Sequence, residues 1–311
     1  MAKKYFVVSD VHSFYRSLRA SLAKADFKLD NEDHVLIVLG DIFDRGDEPL
    51  EVYEFLKSIP DDRLILVRGN HERLYLDLLD KSYPEYHDFA NGTVETFCHI
   101  AKEDTKYLET VEYGDLDSLK ITESPKAFWG RVRSKVRKSE VTKWLKSSRW
   151  KNYYELDKFV FVHSFIPAEL KPEFRNGVFL QIPRSMLRSE YFQHREDWRE
   201  ATDFEWGEAT WGCPYRLFAA GCFDRAKENG KTLVCGHWRT SDFYKFFEDN
   251  YVATTAIYFS DGLIGIDGGV SLMADGERLH HQNVLVIDEN MDCFDENGVR
   301  LPYSNEKEQT I

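Results

Sequence analysis

The chain has 311 residues, with 41 Lys+Arg against 54 Asp+Glu and a formal net charge of −13. That length can bury a sizeable core, and 42% hydrophobic with 31% charged residues is a globular rather than a disordered composition. The longest apolar runs, such as 35–39, fall far short of the ~20 residues of a membrane helix, and the acidic balance argues against general nucleic-acid binding.

The apolar stretch after Lys3-Lys4 is too short for a signal peptide, so a soluble, cytoplasmic protein is expected. Cys98, Cys213, Cys222, Cys235 and Cys293 are widely spaced with no CxxC pair, which predicts free thiols rather than a disulfide framework or zinc ribbon.

Taken in order, Tyr5 to Val8 reads as a short buried strand leading into Ser9-Asp10. Phe14, Leu18 and Leu22 recur every four residues and predict a helix. His34 to Leu39 is a second strand, leading into Gly40-Asp41, and Leu50 to Leu56 a second helix, stopped near Ile59-Pro60. Arg63 to Val67 is a third strand, ahead of Arg68-Gly69-Asn70-His71. This alternation predicts a largely parallel sheet, whose ligands bind beyond the carboxyl ends of the strands.

A stretch of about 74–154, rich in Lys, Glu, Tyr and Trp, reads as a helical insertion or lid, with helical spacings at Leu74-Leu78 and Val141-Trp144-Leu145. Two further strands, Phe159 to Val162 and Lys231 to Cys235, lead into His163 and Gly236-His237, and a second insertion of about 190–228 lies between them. The tail from Tyr251 to Val286 returns to β character, with a hairpin turn at Asp261-Gly262. No Pro/Gly/Ser-rich linker divides the chain, so one domain over 1–311 is expected.

Asp10, His12, Asp41, Asn70, His163 and His237 all fall at or just beyond predicted strand ends. Carboxylate, imidazole and amide oxygen together suit divalent first-row metals or iron. Asp10 and His12 are two apart, which on a strand points both side chains to one side. Six ligands exceed the need of one small open site, and two metals bridged by Asp41 fit better. Beside them stand Asp44, Arg45, His71 and Glu72. Arg45 is shaped to grip phosphate oxygens and a His held by a carboxylate to donate a proton, a combination that describes phosphate-ester hydrolysis.

Asp10-Val11-His12, Gly40-Asp41-Ile42-Phe43-Asp44-Arg45-Gly46 and Gly69-Asn70-His71-Glu72, followed by His163 and Gly236-His237, resemble the calcineurin-like metallophosphoesterases. The likeness is to the branch holding serine/threonine protein phosphatases and symmetrical diadenosine tetraphosphate hydrolases. It implies a four-layer α/β/β/α sandwich, with the tail strands building the second sheet. It also implies two divalent metals, with manganese as the working choice over iron, zinc or cobalt. Asp10, His12 and Asp41 would hold the first, and Asp41, Asn70, His163 and His237 the second. Arg45 would bind phosphate, and His71, positioned by Asp44, would protonate the leaving group. Glu72 reads as a brace rather than a ligand, and Ile266-Asp267-Gly268-Gly269 resembles a family turn.

Ser9 and Ser13 replace two glycines of the family's first motif. A second phosphate-gripping arginine has candidates in Arg184, Arg216 and Arg239, with Arg216 preferred. His34, His87, His99, His194, His280 and His281 match no motif and read as structural. The basic segment 126–151 reads foremost as the solvated face of a helix packed through Val132, Val136 and Trp144, with substrate steering as its functional counterpart. Ordinary packing is preferred over base or peptide stacking for Trp206, Trp211 and Trp238. The expected substrate is a phosphorylated protein, with a nucleotide polyphosphate as the alternative. A non-enzymatic metal-binding scaffold is the least favoured reading.

Overall fold

A computed structural model describes residues 3–104, 124–175, 188–271 and 281–302, together with two short strands at 273–274 and 277–278. Ten helices are named below: α1 (Tyr15–Lys24), α2 (Pro49–Ser58), α3 (Asn70–Leu78), α4 (Tyr86–Ala90), α5 (Thr93–Ala101), α6 (Pro125–Lys138), α7 (Glu140–Leu145), α8 (Asp203–Ala209), α9 (Pro214–Ala219) and α10 (Thr240–Phe247). The strands are β1 (Lys4–Val8), β2 (His34–Leu39), β3 (Leu64–Val67), β4 (Trp150–Lys151), β5 (Tyr153–Glu155), β6 (Phe159–Val162), β7 (Glu169–Leu170), β8 (Phe192–Gln193), β9 (Thr232–Arg239), β10 (Tyr258–Ser260), β11 (Leu263–Asp267), β12 (Met273–Ala274), β13 (Glu277–Arg278), β14 (Leu285–Ile287) and β15 (Cys293–Phe294).

The single sheet expected from the β-α-β alternation is in fact two. One has the order β15-β14-β1-β2-β3-β4 and the other β10-β11-β9-β6-β5, and the chain steps between them across Asn152, from β4 to β5. In the larger sheet β1 to β4 run parallel, as do β6, β9 and β11 in the smaller one. Of the tail strands, β10 and β11 join the second sheet as a hairpin across Asp261-Gly262, whereas β14 and β15 return to the first sheet beside β1.

The four-layer arrangement follows from strands buried on both faces, where successive side chains alternate between two cores. In β1 and β2, Phe6, Val8, Leu36 and Val38 face the core under α1 to α7, while Val7, Ile37 and Leu39 face the space between the sheets. In β6 and β9, Phe159, Phe161 and Val234 meet them there, and Val160, Val162, Leu233 and Cys235 face a third core that includes Trp206, Tyr215 and Phe243. Every apolar residue in these runs therefore has a buried role.

Local signals set the helix ends. Pro49 opens α2 with its fixed φ, and Ile59, held extended ahead of Pro60, closes it. Ser124 and Ser139 accept the backbone N–H groups of Ala127 and Thr142 and cap α6 and α7. On α6, Phe128, Trp129, Val132 and Val136 form the buried stripe. Its basic residues reach neighbouring elements: Arg131 and Lys135 pair with Glu103, Arg137 pairs with Asp80, and Arg133 donates to the Lys81 carbonyl. All five cysteines are free thiols. No described helix is long and apolar enough to cross a membrane.

Candidate active site

The loops leaving β1, β2, β3 and β6 converge on β9, which carries His237, and bring Asp10, His12, Asp41, Asp44, Asn70, His71 and His163 together, all nearly fully buried. Asp10 and His12 do not ride on a strand as expected. β1 ends at Val8, and both residues sit beyond it with left-handed backbone, φ 53° and 49°. Ser13, Asp41, Asp44, Arg45 and His237 share that conformation. Each non-glycine residue held there is strained, and strain gathered in this way marks a functional site. Ser13, φ 60°, thus adopts the conformation that a glycine takes without strain.

His237 is turned inward by an irregularity in the β9–β11 pairing between Gly265 and Asp267. Its backbone N–H donates to Asp10 Oδ2 at 2.8 Å. Two glycines permit the crowding: a Cβ on Gly69 would lie 2.2 Å from Asp41 Oδ1, and one on Gly236 would lie 2.3 Å from Asp10 Oδ2. Glu72 braces rather than coordinates. Its carboxylate accepts the backbone N–H groups of Gly69 (2.7 Å), Asp41 (3.0 Å) and Ile42 (2.9 Å), tying the start of α3 to the end of β2.

Carbonyl oxygens only accept, so the contacts of His12 Nδ1 with Phe43 O (3.0 Å) and of His163 Nδ1 with Leu39 O (2.7 Å) place the ring proton on Nδ1. Each Nε2 is left with a lone pair directed into the site. His163 Nε2 faces Asn70 Oδ1 at 2.8 Å, His237 Nδ1 at 3.2 Å and Asp41 Oδ2 at 3.5 Å. Asp41 Oδ2 is also 4.0 Å from His12 Nε2 and 3.9 Å from His71 Nε2. Two clusters with ligand spacing meet here, Asp10-Asp41-His163-His237 and His12-Asp41-His71, and Asp41 belongs to both, while a third, Glu85-His87-Asp88, is apart from them. Converging lone pairs of hard oxygen and imidazole nitrogen fit divalent cations.

The electrostatics agree. Burial, reinforced by Arg45 and His71, drives the His12 pKa well down, and burial with His163 takes that of His237 down to about 3, so both are neutral donors. For Asp41, burial acts upward, but His163, His71, His12 and His237 outweigh it and hold the carboxyl well below its usual range. His71 moves the other way: burial lowers its pKa, yet Asp41 and the hydrogen-bonded Asp44 raise it overall. Asp44 Oδ2 takes His71 Nδ1 at 2.7 Å and the Thr93 hydroxyl at 2.8 Å, while its backbone N–H reaches Thr96 Oγ1 at 3.0 Å. The exposed Arg45 lays its guanidinium across the site, 2.9 Å from His12 Nε2 and 3.1 Å from His71 Nε2.

A family model for calcineurin-like phosphoesterases matches residues 3–261. The chain belongs to that family. Calcineurin-like phosphoesterases use divalent metal ions, and the clustered Asp and His side chains here have the spacing to hold them. Over 67 residues it is 39% identical to a symmetrical bis(5'-nucleosyl)-tetraphosphatase of Buchnera aphidicola, covering 22% of this chain and 23% of the relative. Over 75 residues it is 39% identical to serine/threonine-protein phosphatase 2 of Salmonella typhimurium, covering 24% of this chain and 32% of that one. Each alignment thus spans less than a third of the relative. A mutant of a cold-active protein tyrosine phosphatase aligns with a TM-score of 0.51 and 17% identity over 97% of this chain and 80% of its own, a likeness of fold.

The other singled-out residues lie elsewhere. Arg216 is exposed over the Phe246 and Tyr215 rings and lines a cavity of about 970 Å³ with Trp211, Trp238 and Cys213. Arg239 pairs with Asp242 at 3.0 Å, and Arg184 and His280 lie outside the described residues. His34 and His194 are buried away from the cluster, and His281 contacts Asn283. His87 contacts Lys81. Trp206 stacks on Tyr153 in the core and Trp238 donates to Gly212 O, whereas Trp211 is 48% exposed and stands edge-on to His237. Thr93 and Thr96, which fix Asp44, carried no sequence signal: two threonines one helical turn apart are ordinary.

Proposed function

We propose that this calcineurin-like phosphoesterase hydrolyses phosphate monoesters on protein serine or threonine with two divalent metals, manganese foremost. The observation that carries this reading is His71, clamped to Asp44 at 2.7 Å and 3.1 Å from Arg45, beside the shared Asp41 carboxylate. Asp10, His12 and Asp41 would hold one metal, and Asp41, Asn70, His163 and His237 the other. The bound metals would supply a lowered pKa for the attacking water and positive charge against the phosphoryl oxygens.

The chain's own residues do the rest. Arg45, exposed at the mouth of the site beside His12 and His71, binds the oxygens of an arriving phosphate through the guanidinium fork. Asp44 accepts from Nδ1–H of His71, so Nε2, which here accepts from the Arg45 guanidinium at 3.1 Å, is the nitrogen that carries the transferable proton when Arg45 is on the phosphate. The raised pKa keeps that proton in place near neutral pH, and His71 delivers it to the departing alkoxide oxygen. A phosphoserine alkoxide is a poor leaving group, so this proton matters most for such substrates. The cavity around Arg216 and Trp211 is read as room for the substrate beyond its phosphate. A single domain with insertions near 74–154 and 190–228, working in the cytoplasm, belongs to the same proposal.

A second reading, symmetrical cleavage of diadenosine tetraphosphate, draws support from the local identity to enzymes of that name. Turnover of a phosphoserine peptide against diadenosine tetraphosphate, each with and without chelator, separates the two. Fast chelator-sensitive phosphate release from the peptide supports the first reading, and fast formation of two ADP overturns it in favour of the second.

A further inference from the structure

Arg73 lies one helical turn beyond Asn70 on α3, so both side chains rise from the same face. Its Nε and Nη2 atoms are buried with no hydrogen-bond partner. Other inward-facing arginines reach a carbonyl or a carboxylate. Arg63 donates to the carbonyls of Leu29 and Asn31, and Arg199 spans Glu155 at 2.7 Å and Glu228 at 2.6 Å. Arg149 also has buried Nη atoms without a hydrogen bond, but it lies 3.0 Å from the Asp61 carboxylate. Arg73 has neither hydrogen bond nor ion pair among the described residues. Burial and the nearby Arg68 lower its pKa, and Asp203, Asp77 and Glu72 oppose them from longer range. Leaving a buried charged donor unmet is costly, so an unpartnered guanidinium points to a group that it meets only on binding.

The guanidinium opens into a cavity of about 200 Å³ lined also by Asn70, Phe204 and Trp211, with Asp77, Asp203 and Glu208 as the acidic part of its wall. Gly207 on α8 lies beside the guanidinium, where a Cβ would stand in ordinary contact at 3.4 Å from Arg73 Nη1. Asn70 connects this cavity to the metal-ligand cluster, and Trp211 divides it from the cavity of about 970 Å³. The volume suits a carboxylate or phosphate group and is small for a nucleoside. Nε and Nη2 form one edge of the guanidinium, the edge that takes two oxygens side by side.

We infer that Arg73 recognises a second anionic group of the substrate, carried next to the phosphoester that is cut. The inference rests on the phosphoesterase reading and concerns binding rather than bond cleavage. An acidic residue beside a phosphoserine and a neighbouring phosphate in a polyphosphate chain present the same paired oxygens.

The test uses the full chain loaded with manganese, as wild type, Arg73→Gln and Arg73→Lys. One ratio compares kcat/KM for a phosphoserine peptide with Glu beside the phosphoserine against the same peptide with Gln. The other compares diadenosine tetraphosphate against p-nitrophenyl phosphate, which has no second anion. Arg73→Gln is expected to lower one ratio at least about tenfold, through KM, and the ratio that falls names the source of the anion. Arg73→Lys, which keeps the charge but loses the fork, is expected to fall between, and it carries the test alone if Arg73→Gln does not fold. Ratios that stay within tenfold, or a uniform loss on all four substrates with a lowered Tm, overturn the inference. Absence of metal-dependent p-nitrophenyl phosphate turnover by the wild type overturns the underlying reading instead.

Discussion

His71 Nδ1 lies 2.7 Å from Asp44 Oδ2, and both side chains are buried, 1% and 0% exposed. The bond fixes the ring's orientation and its proton, leaving Nε2 beside Arg45. Replacing His71 by Asn is expected to lower kcat by ~10²–10⁴ on a phosphoserine peptide. The loss is expected to be smaller on p-nitrophenyl phosphate, whose leaving group departs without a proton. Equal losses on both substrates would exclude His71 as the proton donor.

The raised pKa of His71 sets an alkaline limb. Activity that needs the protonated ring falls as pH rises through its folded value, which lies above the ordinary ~6.5. Asp44→Asn weakens the hydrogen bond and removes a negative charge, so the limb of kcat is expected to move to lower pH. A profile unmoved by that substitution contradicts the pairing.

Linkage gives the metal-free chain a two-sided stability profile. His237, held down to about 3, stabilises the fold above the unfolded pKa of ~6.5, and that contribution is lost as pH falls below it. His71, raised in the fold, contributes fully below ~6.5 and loses its contribution as pH rises through the folded value. Thermal unfolding of metal-free His237→Asn is expected to fall less steeply than wild type between pH 6.5 and 5. That of His71→Asn is expected to fall less steeply above neutrality.

The close approach at Gly69 makes a backbone test possible. A Cβ 2.2 Å from Asp41 Oδ1 must displace that carboxylate or the turn itself. Gly69→Ala is expected to destabilise by ~1–3 kcal/mol and to weaken metal binding at least tenfold, read by denaturant unfolding and metal titration.

Phe161 contributes to the core between the sheets two residues before His163 and is fully buried. Phe161→Ala is expected to cost ~3–5 kcal/mol in denaturant unfolding, since the close-packed sheets leave little room to collapse.

Much of the site was readable because strand ends deliver short polar motifs to one edge. The runs before Asp41, Asn70, His163 and His237 are apolar throughout, and their alternation between two buried faces accounts for that. The same property hid the second sheet: a strand buried on both sides carries no mark of which sheet it joins, and the switch at Asn152 is a single ordinary residue. The Asp10-His12 pair was placed on one side by strand periodicity, but left-handed backbone at both residues sets their direction. Sequence spacing has no access to φ at non-glycine residues. Arg73 carried no signal either, because the cavity it opens into is completed by Phe204 and Trp211, more than a hundred residues away.

The central claim is a pair of metals sharing Asp41 and required for phosphoester hydrolysis. Metal-stripped chain is titrated with manganese while bound metal and p-nitrophenyl phosphate turnover are followed together. Turnover is expected to appear as two manganese ions bind per chain, and Asp41→Asn to lose both stoichiometry and rate. Full turnover by the stripped chain, or by Asp41→Asn, would contradict it.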